Sequence, residues 1–246
     1  MNSKLYKIID KKKSKELIFL KKIIEKKIKK LLPKCNYNLS KLHKFVDGKK
    51  INNIRLQCFH ELNSKFDWEN ILKKICLKEI KEIIGPDILI QSKLNLSIQL
   101  PNDKSSILNE HSDIWSADTP FQINLWIPLT NAFKTNSMFI LEKKHSLNTF
   151  KKIVKHKKYI SKKTNINKFV NVPFGKVLIF NPALLHGNVC NKTNSTRVSL
   201  NIRFKSLFSP EPKKNPDRQF GIYYKKFLIS ENTEFATEVL NTRILS

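Results

Sequence analysis

The chain has 246 residues, of which 40% are hydrophobic and 10% aromatic, so it can bury a core and is not expected to be disordered. Its hydrophobic runs are too short for a transmembrane helix, and its Lys-rich start does not resemble a secretory signal. The formal net charge of +27 comes far more from lysine than from arginine, which nucleic-acid recognition favours. We therefore expect a solvated basic surface and no nucleic-acid partner.

The cysteines indicate the redox environment. Cys35, Cys58, Cys76 and Cys190 are spread along the chain, and none of them forms a CxxC pair. This distribution is typical of reduced thiols rather than of a disulfide framework or a zinc ribbon. We expect a cytoplasmic protein.

Residues 1–86 have a helical pattern. Apolar residues at spacings of three and four predict one helix that ends at Pro33: Leu17, Leu20, Ile24, Ile28 and Leu31. A second helix is predicted over residues 66–84 and ends at Gly85-Pro86. The first helix is basic and amphipathic. It is compatible with an anionic membrane surface, but packing on its own domain is the commoner use of such a helix.

The pattern changes after residue 86 to an alternation of apolar and polar residues. Residues 94–100, 121–127 and 198–204 alternate strictly, whereas residues 137–141 and 176–180 are almost uniformly apolar. Short strands after a helical first third predict an α+β fold with a mainly β core, an antiparallel sandwich or barrel backed by helices.

The polar positions of the alternating strands contain no lysine, although lysine is abundant elsewhere. They hold amides, hydroxyls, an indole and a guanidinium, among them Asn95, Gln99, Gln122, Asn124, Trp126, Ser199, Asn201 and Arg203. Such a face predicts a polar cavity between two sheets that binds a polar ligand. The alternative is an exposed strand face.

Two histidines and one carboxylate are candidates for a metal site. His111 and Asp113 follow the first alternating strand, and in an extended segment residues i and i+2 point to the same side. His186 is the third candidate. Two histidines and a carboxylate form the facial triad of non-haem Fe(II) oxygenases, which leaves three coordination positions open. Arg197 and Ser199, also two residues apart on a predicted strand, form a candidate carboxylate clamp.

Together these motifs resemble the Fe(II)/2-oxoglutarate-dependent dioxygenases, and within them the phytanoyl-CoA dioxygenase-like branch. Residues 109–146 are similar to the oxygenases of bacterial carbohydrate-biosynthesis clusters, of the streptomycin-biosynthesis-protein type. The resemblance covers residues 87–206 and implies a double-stranded β-helix (jelly roll). It further implies a single oxygenase domain over residues 1–246, with a mostly helical N-terminal segment over residues 1–86, the jelly-roll core over residues 87–206 and a C-terminal extension over residues 207–246.

The resemblance also implies roles for individual residues. His111, Asp113 and His186 match the Fe(II) ligands, and Arg197 with Ser199 matches the residues that hold the distal carboxylate of 2-oxoglutarate. The implied reaction consumes O2 and releases succinate and CO2. The presence of Asp113 favours hydroxylation, because related halogenases lack this carboxylate. One departure concerns the family's "PGSH"-like motif, in which Lys143 and Lys144 replace Pro and Gly.

The expected substrate is a small polar molecule related to carbohydrate or surface-polysaccharide biosynthesis, because amides bind hydroxyl groups and an aromatic ring offers a stacking surface. Candidate substrate contacts are Gln99, Trp115, Gln122, Asn124, Trp126, Asn201 and Arg203. Trp115 is as compatible with a place in the core as with a contact in the site. Tyr223 and Tyr224 could form a lid or could simply pack in the fold. Two alternatives stay open: a non-enzymatic jelly-roll binding protein, and an oxygenase of the same fold that acts on nucleic acid or protein. The sequence does not determine the oligomeric state.

Overall fold

The computed structural model describes residues 5–34, 38–116, 118–156, 168–210 and 216–242. Within these residues the α-helices are α1 (Lys15–Leu31), α2 (Gly48–Lys65), α3 (Trp68–Ile84), α4 (Lys143–His156) and α5 (Glu231–Asn241). The strands are β1 (Tyr6–Asp10), β2 (Ile88–Gln91), β3 (Asn95–Gln99), β4 (Ile123–Pro128), β5 (Met138–Ile140), β6 (Lys176–Phe180), β7 (His186–Asn188), β8 (Arg197–Ser206) and β9 (Tyr224–Leu228). Short 3-10 helices cover Leu39–Lys44, Asp113–Ser116, Lys134–Asn136 and Pro216–Arg218.

Local signals explain where the N-terminal helices begin and end. The Ser14 hydroxyl caps α1 by accepting a hydrogen bond from the Leu17 amide at 3.2 Å, and Asp67 caps α3 in the same way. Gly85 ends α3 with a φ of 90°, a conformation that glycine adopts at little cost. Both predicted helices are confirmed, and α2 is a further helix within the segment that was predicted to be helical.

The larger sheet has seven antiparallel strands. The first four strands in spatial order are β1, β6, β4 and β8. The other edge of the long strand β8 pairs with both β3 and β2, and β9 pairs with the free edge of β2. A second sheet contains β5 and β7. The structure confirms the expected combination of helices with antiparallel strands.

Strand β1 departs from the helical prediction for the first third. It pairs with β6 in a register that places Tyr6 opposite Phe180. A strand of five residues is too short to show a clear period, and this one is held by the exposed edge of a sheet formed by residues far along the chain.

One face of the large sheet packs against the N-terminal helices. The apolar positions of the alternating strands, such as Leu125 and Leu200, are fully buried in the same cluster as Leu20 and Ile24 of α1. The apolar face of α1 therefore packs on its own domain, which excludes the membrane-surface alternative for that face. No helix in the described residues is long and apolar enough to cross a membrane.

The opposite face of the sheet has a smaller apolar cluster beside its polar residues. Trp126, Leu178 and Phe180 pack there with Met138 and Val172. Val177 and Ile179 of the same strand β6 belong to the helix-side cluster instead. Strand β6 is uniformly apolar because both of its faces are buried.

Candidate metal centre and cosubstrate site

The backbone holds the two candidate histidine ligands side by side. The His111 amide donates to the His186 carbonyl at 2.9 Å, and the His186 amide donates to the His111 carbonyl at the same distance. His186 begins β7, which pairs with β5, so one of the two histidines belongs to the smaller sheet. The ring centroids lie 4.4 Å apart.

Asp113 reaches the same point from a turn rather than from an extended strand. It begins a 3-10 helix, and its amide donates to the Pro182 carbonyl at 3.2 Å. The prediction of an extended HxD segment was therefore wrong in its local geometry, because a tertiary hydrogen bond sets this backbone. The side chains nevertheless converge. Asp113 Oδ1 lies 3.5 Å from His111 Nε2 and 3.6 Å from His186 Nε2, and the three ligand atoms all lie within 4.8 Å of one another.

Hydrogen bonds determine which imidazole nitrogens can bind a metal. His111 Nδ1 lies 2.7 Å from the Asn109 carbonyl, and His186 Nδ1 lies 2.8 Å from the Leu184 carbonyl. A carbonyl oxygen only accepts, so both Nδ1 atoms carry the proton. In each neutral ring Nε2 then keeps its lone pair, which is the usual arrangement of histidine ligands.

Burial and neighbouring groups shift the pKa of each residue of the triad. Burial alone would raise the pKa of Asp113, but hydrogen bonding to His111 and the charge of Arg203 hold this pKa well below its usual range. Burial lowers the pKa of His186 to about 4. Burial by itself would also lower the pKa of His111. The hydrogen bond between His111 and Asp113 outweighs this effect, so the pKa of His111 is raised.

The second oxygen of Asp113 has partners of its own. Oδ2 accepts a hydrogen bond from Asn124 Nδ2 at 2.5 Å and one from Arg203 Nη2 at 3.2 Å. Asn124 and Arg203, both predicted as substrate contacts, are therefore brought to the metal centre through Asp113.

Arg197 is a buried cation without a matching anion. It is 4% exposed, and its hydrogen bonds to the Asn136 carbonyl and to Ser97 Oγ are long, at 3.4 and 3.3 Å. Its Nε and the hydroxyl of the neighbouring Ser199 are buried without a hydrogen-bond partner. Burial lowers the pKa of Arg197 to about 10, so it remains charged at neutral pH. Among the described residues no carboxylate forms an ion pair with it, which suits a ligand that brings its own carboxylate.

The remaining predicted substrate residues divide into two groups. Gln99 and Asn201 have buried side-chain oxygens without a partner, although the Gln99 amide nitrogen donates to the Val189 carbonyl. Gln122 instead accepts a hydrogen bond from the Tyr224 hydroxyl at 2.7 Å, and Trp126 belongs to the apolar cluster. The side-chain oxygen of Gln122 is thus engaged by the protein itself, whereas its amide nitrogen is buried without a hydrogen-bond partner.

Aromatic residues near the metal centre differ in exposure. Trp115 is 40% exposed and lies edge-on to Phe150 of α4, with ring centroids 6.4 Å apart, so it is not a core residue. Tyr224 is buried, which favours simple packing over a lid. The hydroxyl of Tyr223 accepts a hydrogen bond from Arg203 at 3.2 Å.

The segment with the unusual lysines supports the metal centre. Lys143 begins α4, and the buried hydroxyl of Ser146 accepts a hydrogen bond from the amide of Leu185 at 3.0 Å. With Lys143 and Lys144 in place of Pro and Gly, this segment forms the start of α4. Ser146 of α4 then holds Leu185, the residue before His186.

Sequence reasoning missed Asp118 and Gln91, which contact Arg203. Burial raises the pKa of Asp118, whose side chain is fully buried between two arginines. Asp118 is one of four acidic residues in residues 94–133, which contain only one basic residue, Lys104, and this local composition was the only sequence signal for it.

Known proteins resemble this chain in sequence and in fold. The family model for phytanoyl-CoA dioxygenase (PhyH) matches residues 22–199. Streptomycin biosynthesis protein StrG of Streptomyces griseus is 27% identical over 164 residues, which cover 65% of this chain and 69% of StrG.

Solved structures of HygX from Streptomyces hygroscopicus have a similar fold. The form with nickel and 2-oxoglutarate bound has a TM-score of 0.55 at 14% identity, over 90% of this chain and 92% of HygX. The form that also holds hygromycin B has a TM-score of 0.52 at 13% identity, over 91% and 93%.

Proposed function

The chain belongs to the phytanoyl-CoA dioxygenase family, and we propose that it hydroxylates a small, carbohydrate-related substrate at an Fe(II) centre. Membership makes it a 2-oxoglutarate-dependent dioxygenase, which confirms the enzyme class and the cofactors expected from the sequence.

The donor set of the triad fits iron. His111 and His186 offer one imidazole nitrogen each and Asp113 offers one carboxylate oxygen, which is the 2-His-1-carboxylate set of non-haem Fe(II) oxygenases. When bound, iron with 2-oxoglutarate and O2 supplies the oxidation, in which one oxygen atom enters the substrate and the other enters succinate while CO2 leaves. These three residues would hold the metal from one side, which would leave the other side accessible to cosubstrate and substrate.

One observation carries the cosubstrate assignment: Arg197 is a buried guanidinium without a protein carboxylate. The cost of burying an unpaired charge is recovered when a ligand supplies the opposite charge. We assign the distal carboxylate of 2-oxoglutarate to Arg197, with the unpaired hydroxyl of Ser199 as a second donor.

Orphaned amide oxygens support a hydroxyl-rich substrate. The side-chain oxygens of Gln99, Asn124 and Asn201 are buried and lack donors, and substrate hydroxyl groups would supply them. The name of StrG and the presence of hygromycin B in a HygX structure support a carbohydrate-related substrate. The presence of Asp113 supports hydroxylation, since the related halogenases lack this carboxylate.

The fold proposal follows the same relatives. We propose that the two sheets form the jelly-roll core over residues 87–206 and that residues 1–246 form one oxygenase domain. The likeness to HygX over 90% of the chain supports this organisation.

An anaerobic titration with Fe(II) and 2-oxoglutarate tests the proposed site. We expect a visible charge-transfer band that requires both ligands, and we expect its loss in His186→Ala. Arg197→Gln should shift the half-saturating 2-oxoglutarate concentration upward by about 100-fold, because the charge-assisted pair contributes roughly 3 kcal/mol. Arg55→Gln removes a half-buried arginine of α2 that contacts none of the triad residues, and it should behave like the unaltered protein.

The same experiments distinguish the two alternatives, a non-enzymatic binding protein and an oxygenase that acts on nucleic acid or protein. If the folded protein binds no metal and shows no band, the non-enzymatic binding protein replaces the oxygenase. Succinate release should be stimulated by members of a panel of sugars and aminocyclitols. Stimulation by an oligonucleotide or peptide alone would overturn the small-substrate proposal.

A further inference from the structure

We propose that Arg203 is a positioning residue that restricts Asp113 to coordination of the metal through one oxygen, and that Asp118 anchors Arg203 for this task. The inference rests on the proposed metal centre. Arg203 was predicted from the sequence as a substrate contact. In this proposal it positions the metal ligand Asp113 instead.

The guanidinium of Arg203 is engaged by protein groups on several sides. Nη2 donates to Asp113 Oδ2 at 3.2 Å, and Nη1 donates to Gln91 Oε1 and to the Tyr223 hydroxyl, each at 3.2 Å. Nε lies 3.1 Å from Asp118 Oδ2 in an ion pair. Because all three nitrogens of the guanidinium contact protein groups, Arg203 has few N–H donors left to bind a substrate.

Arg203 differs in this respect from Arg197 on the same face of β8. Arg197 makes two long hydrogen bonds and forms no ion pair among the described residues, whereas Arg203 forms ion pairs with two carboxylates. The contrast separates their tasks, since one arginine awaits an external carboxylate and the other is already bound to internal ones.

The contacts of Arg203 make the two oxygens of Asp113 unequal. Oδ1 lies beside the Nε2 atoms of both histidines, whereas Oδ2 accepts hydrogen bonds from Asn124 and Arg203. For Oδ2 to reach the metal, both hydrogen bonds would have to break. One-oxygen binding matters because a facial triad leaves three positions open, and a second carboxylate oxygen would occupy one of them.

Asp118 keeps Arg203 in place. Its side chain is fully buried, and its Oδ1 lies 3.2 Å from Arg218 Nη1. If Arg203 moved away, it would leave a buried carboxylate with half of its compensation, which is costly. Arg218 in turn stacks on Tyr223, with 4.1 Å from guanidinium carbon to ring centroid. The charged chain therefore links the metal ligand to residues of the C-terminal segment.

Co(II) is a suitable probe, because its affinity and its visible absorption both report on coordination. We would titrate the unaltered protein and the variants Arg203→Lys, Arg203→Gln and Asp118→Asn, with Arg55→Gln as the control. Loss of outer-shell support should weaken Co(II) binding by about 10–100-fold and change the absorption of the bound ion. Arg203→Lys should not restore either property, because a point charge cannot bridge two carboxylates as a planar fork does.

A purely electrostatic role for Arg203 predicts the opposite result. Removal of a cation beside the metal would then tighten Co(II) binding in Arg203→Gln, and Arg203→Lys would match the unaltered protein with an unchanged spectrum. Either finding overturns the inference.

A crystal structure of the unaltered protein with Co(II) bound tests the inference even if the variants fail to fold. We expect Asp113 to bind through Oδ1 alone, with Oδ2 on Arg203, and coordination through both oxygens would overturn the inference. If the unaltered protein binds no Co(II), the proposed metal centre itself fails. If it binds Co(II) and every variant matches it, only the role of Arg203 fails.

Discussion

Arg197 and Arg203 lie on the same face of β8, but only Arg203 is paired with carboxylates of the protein. Arg197 is buried with an unpaired Nε. An unpaired buried charge destabilises a fold, and a ligand that supplies a carboxylate would offset this cost.

Arg197→Met should therefore stabilise the protein in the absence of 2-oxoglutarate while it abolishes binding of this cosubstrate. Replacement of a buried charge by an apolar side chain of similar size should raise the free energy of unfolding by about 1 kcal/mol. Urea denaturation without ligand measures this change. A loss of stability would show that Arg197 is already well compensated inside the protein, against its assignment to a ligand carboxylate.

Metal binding should stabilise the fold through the triad. Co(II) at 100 times its dissociation constant should add about 2.7 kcal/mol, or roughly 5–10 °C in melting temperature for a chain of this size. A chelator should reverse the shift, and His186→Ala should lack it. The exposed His60 of α2 offers a matched control, since His60→Ala should keep the full shift. An equal shift in both variants would place the metal elsewhere.

Gly187 should be required for the geometry of the metal centre. A Cβ at this position would lie 2.6 Å from the Leu108 carbonyl oxygen and 2.9 Å from that of Asn109, which accepts the hydrogen bond from His111 Nδ1. Gly187→Ala should push this segment away and reduce Co(II) affinity by at least about tenfold, as loss of an outer-shell partner does. Isothermal calorimetry measures the affinity.

Gly48 provides the matched control for Gly187. A Cβ there would meet only the flexible side chain of Asp103, at 3.1 Å. Gly48→Ala should bind Co(II) like the unaltered protein. Unchanged affinity in Gly187→Ala as well would mean that the strand can shift without cost to the ligands.

The docking of α1 on the sheet should contribute strongly to stability. Ile24 is fully buried, so Ile24→Ala should lower the free energy of unfolding by about 2–5 kcal/mol. Ile18 belongs to the same helix but is 42% exposed, and Ile18→Ala should change stability by less than about 0.5 kcal/mol. Chemical denaturation compares the two. Similar small losses would indicate that α1 is only loosely attached.

Two thiols should resist modification in the folded protein. Burial raises the pKa of Cys58 to about 12 and also raises that of Cys76, so neither forms the reactive thiolate at pH 8. Peptide mapping after iodoacetamide treatment should find both unmodified until denaturant is added. The half-buried Cys190 serves as the internal comparison. Rapid modification of Cys58 in folded protein would contradict its burial.

The sequence alone determined the elements whose patterns are local. The period of α1 and the alternation in β3, β4 and β8 repeat every few residues, and each strand's apolar residues pack against helices as that alternation requires. The types of residue in the triad were also recognisable, because few combinations of side chains suit a metal with open positions. These features depend on neighbours in the chain, which a sequence states directly.

Contacts between distant segments depend on the folded arrangement and could not be predicted from the sequence. The pairing of β1 with β6, the turn at Asp113 and the hydrogen bond between the amide of Leu185 and Ser146 all join residues that no local period connects. Arg203 shows the consequence most clearly. Its alternation placed it correctly on the polar face of β8, but its four partners come from three other segments of the chain. Whether a buried guanidinium awaits a ligand or supports a metal ligand depends on which charges lie beside it, and that is a property of the folded arrangement.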